Sequence, residues 1–336
     1  MRAVVYNGIR DLDVRDLPPP ELQPDQVMVD VHACGICGSD LHLYREGIGP
    51  EICTFPYPGG RVLGHEFSGV ISALGSAVEG RAIGDRVVGL GMGGMAEQVA
   101  LHNAIAFAIP DGVSFDEAAT AEPMSNSLRI VRKSNPQPGE NVVVFGLGII
   151  GLGVIQTYRA LGVELGRLIA VDTSEYRRKV AAELGAGYLI DPKDGDVVEQ
   201  VRELCGNRPS ILDGDVPAVD VVCDCAGYIK GFEGKPVIQQ ALDMICDRSG
   251  RIMCFGMFED RVSLDLGPLI NRQPQLIGVM GMELEDVNQS LAWMAEGKID
   301  RKSLVTHQFG LAQARDAFEA QTRYAESVKV VLHPQE

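Results

Sequence analysis

At 336 residues the chain is long enough for two domains, since a single core stops growing at roughly 250–300 residues. A hydrophobic content of 46% with 23% charged residues is that of an ordinary globular protein. The net charge of −16 argues against a nucleic-acid or anionic-membrane surface, both of which need concentrated Lys and Arg; the longest basic run is Arg177-Arg178-Lys179. No segment approaches the ~18 consecutive apolar residues of a membrane span. Met1–Tyr6 lacks the apolar core of a signal peptide and reads as a first strand, so eight cysteines imply a reducing compartment, with the cytoplasm as the default.

Residues 1 to about 110 carry short apolar runs separated by Gly, Pro and Asp, the pattern of a mostly antiparallel β domain. Examples are Gln26-Val-Met-Val-Asp-Val31 and Gly84-Asp-Arg-Val-Val88. Ser114-Phe-Asp-Glu117 is a capping box and predicts a helix through Ala118 and Ala119. From about 140 the texture changes to strand–helix alternation. Asn141–Phe145 is a strand, followed by a glycine loop and a helical stretch ending at Gly162; Leu168–Val171 is the next strand, and a helix from about Ser174 to Leu184 is closed by Gly185. Tyr188–Ile190, Val219–Val222 and Arg251–Phe255 continue the alternation, which means an α/β, doubly wound parallel sheet. Past about Met282 the texture is mixed again, with an amphipathic helix near Asp286–Ala295 and a last strand, Val328–Leu332.

Two chemical signatures lie on this frame. Cys37 sits in C-G-I-C-G-S-D-L-H over Cys34–His42, His65 and Glu66 in G-H-E-F-S-G over Gly64–Gly69, and Glu122 in A-E-P over Ala121–Pro123. Thiolate, imidazole and carboxylate are the ligands of a catalytic zinc with one open position. Cys34-x-x-Cys37 alone could equally be a redox pair, but that gives no reason for the Ser39-Asp40-x-His42 and Gly-His-Glu phrases. The second signature is Gly146-Leu147-Gly148-Ile149-Ile150-Gly151 between a strand and a helix, with Asp172 closing the following strand. This is the dinucleotide fingerprint, in which Asp172 takes the adenosine ribose hydroxyls and repels a 2′-phosphate, favouring NAD over NADP.

With the longer phrases Gly64-His65-Glu66-x-x-Gly69-x5-Gly75-x2-Val78 and Gly84-Asp85-Arg86-Val87, the chain resembles the zinc-containing alcohol and polyol dehydrogenases of the medium-chain dehydrogenase/reductase superfamily, from residue 1 to about 333. The resemblance implies a GroES-like catalytic domain over 1–124 and 283–336 and a Rossmann cofactor domain over 125–282. It makes Cys37, not Cys34, the thiolate ligand and His65 the imidazole ligand. The second ligand cysteine of ethanol-active relatives has no counterpart, because no Cys lies between Cys53 and Cys205; Glu122-Pro123 stands there, as in sorbitol, threonine and butanediol dehydrogenases. Glu66 and Glu122 share the remaining position, and the sequence does not divide it between them. Relatives with a structural zinc carry four cysteines near residues 90–105, where this chain has none, so one zinc per subunit is expected.

By the same resemblance Arg177 lies along the ribose, Lys329 reaches the pyrophosphate, and Phe255, Gly256 and Met257 run beside the nicotinamide. The ion lowers the pKa of a bound alcohol, Ser39 and His42 relay its proton outward, and hydride passes to NAD. Gly91, where relatives often carry an aromatic, implies room for a secondary alcohol, polyol or cyclic alcohol, and Tyr44 and Phe55 are read as pocket walls or, equally, as core packing. A homodimer or homotetramer acting on a small alcohol or its ketone is expected. The competing readings are a zinc-free quinone or enone reductase of the same superfamily, which would lack the Cys and His ligands, and a non-enzymatic protein on the same fold.

Overall fold

The computed structural model describes residues 1–336, the side chain of Ile52 excepted. The chain divides into one unit of Met1–Ser125 with Leu284–Glu336 and a second of Asn126–Glu283, each junction one residue beyond the sequence-based boundary.

In the first unit a seven-stranded sheet runs in the order Val305–Gly310, Lys329–His333, Gln26–Gly35, Glu66–Leu74, Arg86–Gly89, Ala106–Ala108, with Gln98–His102 also paired to Gln26–Gly35. A four-stranded sheet of Asp11–Asp16, Arg2–Gly8, Gly60–Leu63 and Thr54–Tyr57 accompanies it. Val27, Val29 and Val31 alternate along their strand and enter one core with Phe67, Ile71, Leu311 and Phe318. The last strand pairs antiparallel with the end of Gln26–Gly35, so residues from the two ends of the chain become neighbours: Val331 opposes Gly35, and Gly35 in turn opposes Glu66.

The expected capping box is present: Ser114 Oγ accepts the Glu117 N–H and the Glu117 carboxylate accepts the Ser114 N–H, opening the helix Phe115–Ala119. A further helix, Gly38–Glu46, begins within the Cys-Gly-Ser-Asp phrase, where β texture was read; its capping residue is Cys37 itself.

The second unit holds a six-stranded parallel sheet ordered Tyr188–Ile190, Arg167–Val171, Asn141–Phe145, Val221–Asp224, Arg251–Cys254, Gln275–Gly278. Val142, Val143 and Val144 are all fully buried, which is why this strand reads as an unbroken apolar run rather than an alternation. Strand order reverses beside Asn141–Phe145, the switch point where doubly wound sheets bind nucleotides beyond the strands' carboxyl ends. An antiparallel hairpin, Asn207–Ser210 with Gly214–Pro217, is added to this scheme; no strand signal marked it in Asn-Arg-Pro-Ser.

Candidate metal centre and dinucleotide loop

The register Gly35–Glu66 sets the first site. Because the two strands run antiparallel, the residues just past Gly35 face those just before Glu66, and Cys37 is brought to His65. Cys37 caps the helix Gly38–Glu46, and Asp40, third in that helix, accepts the Cys37 N–H through Oδ2 at 2.9 Å. Gly64 permits the tight approach: its φ is +92°, and a Cβ there would lie 2.6 Å from Met95 Cγ and 2.7 Å from Cys34 Sγ.

Ligating atoms of Cys37, His65 and Glu66 lie within 4.8 Å of one another. Glu122, in the first turn of the helix Ala121–Ser134, is near enough for its charge to act on His65. Burial by itself would depress the His65 imidazole, but the Cys37 sulfur, Asp40 and Glu122 outweigh it and raise its pKa well above the usual value. Asp40 is fully buried with its Oδ1 3.9 Å from His65 Nδ1, and burial raises its carboxyl.

Among the described residues three buried atoms of this group lack a hydrogen-bond partner: Asp40 Oδ1, His65 Nδ1 and Glu66 Oε1. Orphaned buried polar atoms cost about 1–3 kcal/mol each, so three together mark a place where a further group belongs. Sulfur and imidazole nitrogen from two half-buried residues and carboxylate oxygen from a buried one fit zinc, and a carboxylate behind a histidine is the usual device for fixing the ring of a ligand. Asp40 escaped the sequence reading as a site residue although its signal was there, in the third helical position after Cys37.

Other expected site residues have these surroundings. Lys329 is 1% exposed; its Nζ donates to Glu66 Oε2 at 2.5 Å and to the Ile36 carbonyl at 2.8 Å, so within its own unit it is committed to Glu66 and the end of the strand Gln26–Gly35. Tyr44 is a core residue and not a pocket wall: it packs on Phe318 with ring centroids 5.1 Å apart, and its hydroxyl donates to Glu319 at 2.8 Å. A Cβ on Gly91 would point at Leu101 and Phe67, 3.7–3.9 Å away, so this glycine does not by itself open a substrate space. Phe55 is 45% exposed and lies over Gly93. Ser39 is half-buried in the first turn of its helix, where its side chain hydrogen-bonds Cys53, and His42 is half-buried one turn on. Cys34 is fully buried, and burial raises its thiol well above the usual range, as suits an inert packed side chain.

In the second unit the three glycines of the fingerprint divide their work. Gly146 has φ +81° and a Cβ there would meet the Ala226 backbone at 2.8 Å, while a Cβ on Gly151 would sit 1.9 Å from the Gly146 carbonyl. Gly148 caps the helix Ile149–Ala160 and faces open space except for Arg177 Nη1 at 3.8 Å, leaving the helix N-terminus accessible to a phosphate. Asp172 closes the loop from below, accepting the Leu147 N–H through Oδ2 and the Ser174 N–H through Oδ1, each at 2.7 Å. Each oxygen keeps a second lone pair for a ribose hydroxyl. Arg177 is 9% exposed.

Phe255 and Gly256 both donate to the Asp224 carbonyl, at 3.0 and 2.9 Å, and Gly256 touches Gly227 so closely that any Cβ would overlap its nitrogen. The Asp224 carboxylate accepts the Ala226 and Gly227 amides through Oδ1; burial pushes it up to about 6. Met257 is 38% exposed at the same sheet end.

Known proteins show the same two-part organisation. Residues 23–111 match the alcohol dehydrogenase GroES-like domain and residues 150–296 the zinc-binding dehydrogenase family. Sorbitol dehydrogenase of Bacillus subtilis is 28% identical over 99% of this chain and 97% of its own length. The (R,R)-butanediol dehydrogenase of the same organism is 29% identical over 99% and 100%. The crystal structure of 2R,3R-butanediol dehydrogenase from Bacillus subtilis superposes with a TM-score of 0.82 at 28% identity, covering 99% of both chains.

Proposed function

We propose that this chain, which belongs to the zinc-containing alcohol and polyol dehydrogenase family, oxidises a secondary alcohol within a diol or polyol to the ketone, with NAD as hydride acceptor and one zinc per subunit. The observation that carries the reading is the convergence of Cys37, His65 and Glu66 within 4.8 Å around orphaned buried acceptor atoms. Cys37 and His65 would hold the ion with Glu66 and Glu122 sharing the acidic position. Bound there, the ion supplies Lewis acidity that eases loss of the alcohol proton near neutral pH.

The chain's own residues do the rest. The Asp40 carboxylate faces the His65 ring with Oδ1 3.9 Å from Nδ1, and its charge favours the imidazole N–H on that side. Ser39 receives the proton and His42 passes it outward. Gly148 leaves the helix N-terminus bare for the pyrophosphate, and Asp172 takes the ribose hydroxyls while repelling a 2′-phosphate. Held by Gly148 and Asp172, NAD would supply a hydride acceptor for the carbinol carbon. Relatives named for sorbitol and for butanediol support vicinal-hydroxyl substrates. Assembly as a homodimer or homotetramer in the cytoplasm goes with this reading by analogy.

The test is NAD and NADP reduction over a panel of diols, sugar alcohols, cyclitols and simple secondary alcohols, before and after chelation. Chelator-sensitive NAD reduction with a diol or polyol is expected, and Asp172→Ser should narrow the preference for NAD. Activity that survives complete metal removal would falsify the proposal.

A further inference from the structure

Arg301 is the largest fully buried side chain of the first unit, and nothing in its surrounding phrase, Ile299-Asp-Arg-Lys302, marks it in the sequence. Its Nε donates to Thr120 Oγ1 at 3.2 Å, and its charge acts on Glu66. Thr120 is itself fully buried, donates to the Glu117 carbonyl at 2.7 Å, and immediately precedes the helix whose first turn carries Glu122. The guanidinium is thus hydrogen-bonded to the residue that leads into the helix of Glu122, and acts on Glu66 by its charge.

We propose that Arg301 is a positioning residue for the metal centre, holding Glu66 and the Thr120–Glu122 segment in ligating geometry before the ion arrives. The inference rests on the zinc reading above.

The physical case is one of charge and orientation. Burial of a cation is unfavourable unless anions compensate it, and desolvation pushes Arg301 down to about 10 even against the opposing pull of Glu66 and Asp300. Without Arg301 the acidic groups repel one another uncompensated and turn apart, so metal binding must first reassemble them. Lys329 fixes Glu66 Oε2 alone and makes no contact with the Glu122 helix among its hydrogen bonds to Glu66 and Ile36. Arg301 is the side chain that ties the two together. Outer-sphere supports of this kind typically change metal affinity by about 10–100-fold.

The experiment uses full-length protein stripped of metal and titrated with zinc against a chromophoric chelator and with cobalt(II) for its visible spectrum. Arg301→Met should weaken zinc at least ~10-fold and shift the cobalt d–d bands, and Arg301→Lys, which keeps the charge beside Glu66, should restore most of the affinity. Thr120→Val, which removes only the hydroxyl that Nε grips, should produce a smaller change in the same direction. Arg301→Met with a lowered Tm but wild-type zinc affinity and an unaltered cobalt spectrum overturns the proposal. If Arg301→Met does not fold, Thr120→Val decides alone, and an unchanged spectrum and affinity overturn it. Wild-type protein that binds neither ion sinks the zinc reading itself, and this inference with it.

Discussion

Lys329 and Glu66 lie 263 positions apart in sequence and form a direct ion pair, Nζ to Oε2 at 2.5 Å, with both side chains at most 1% exposed. The pair is possible because Gly35 lies between their strands without a side chain: a Cβ there would come 2.5 Å from Glu66 Oε2 and 3.3 Å from Lys329 Cδ. A glycine in a strand interior, where it is normally unfavourable, is therefore part of the metal centre's construction.

Gly35→Ala should displace the Glu66 carboxylate with no change in backbone preference, because its φ is not in the left-handed region. Zinc affinity measured by chelator competition is expected to fall, with far-UV circular dichroism unaltered. An affinity equal to wild type would show that Glu66 takes no part in holding the ion. Lys329→Met leaves a buried carboxylate unpaired and should cost about 3–5 kcal/mol in the metal-free protein. The loss in the zinc-loaded protein should be smaller, since the ion supplies positive charge; urea unfolding of the two forms compares them.

His333 Nε2 bonds Asp116 Oδ1 at 2.8 Å, tying the last strand to the helix Phe115–Ala119, and Gln308 holds the other Asp116 oxygen at 2.6 Å. The hydrogen bond to Asp116, against the opposing effect of burial and with help from the Asp116 and Glu336 charges, raises the His333 pKa above 6.5. A folded-state pKa above the unfolded one gives stability that is fully present below the unfolded value and is lost as pH rises through the folded value. The Tm difference between wild type and His333→Gln should thus be largest below about pH 6.5 and shrink as the medium becomes alkaline. A difference that grows with pH contradicts the assignment.

Gly148 and Gly151 should behave oppositely under the same substitution. Gly148→Ala adds a methyl group to open space in front of the helix Ile149–Ala160, so NADH affinity, followed by nicotinamide fluorescence, should fall while Tm hardly moves. Gly151→Ala puts a Cβ 1.9 Å from the Gly146 carbonyl and should lower Tm whether or not cofactor is present. Equal effects on both readouts would deny the division of labour in the loop.

Tyr44→Phe removes the hydroxyl that Glu319 accepts and leaves the ring on Phe318. The expected result is a stability loss of about 1 kcal/mol with kcat and KM unchanged. A changed substrate preference would return Tyr44 to the substrate pocket.

The residues that chemistry selects by type and spacing were readable in the chain before any fold was known. Cys37, His65, Glu66 and Glu122 stand in phrases whose residues are dictated locally: a capping residue with its Asp40, a tight glycine before the histidine, an acidic first helical turn. The dinucleotide loop is equally local, since Gly146, Gly148, Gly151 and Asp172 belong to one strand–turn–helix–strand unit. The alternation of apolar runs and helical periods after residue 140 set the parallel sheet in the same way. Tertiary structure alone decided what stands behind these groups. Lys329, Arg301 and Gly35 reach the centre through strand pairing and burial across most of the chain's length, and a buried cation has the same letter as a solvated one. The direction of a Cβ decided Gly91, and the packing of a ring on Phe318 decided Tyr44. Local sequence carries backbone preference and ligand chemistry; compensation of buried charge depends on which distant side chains share the same dry volume.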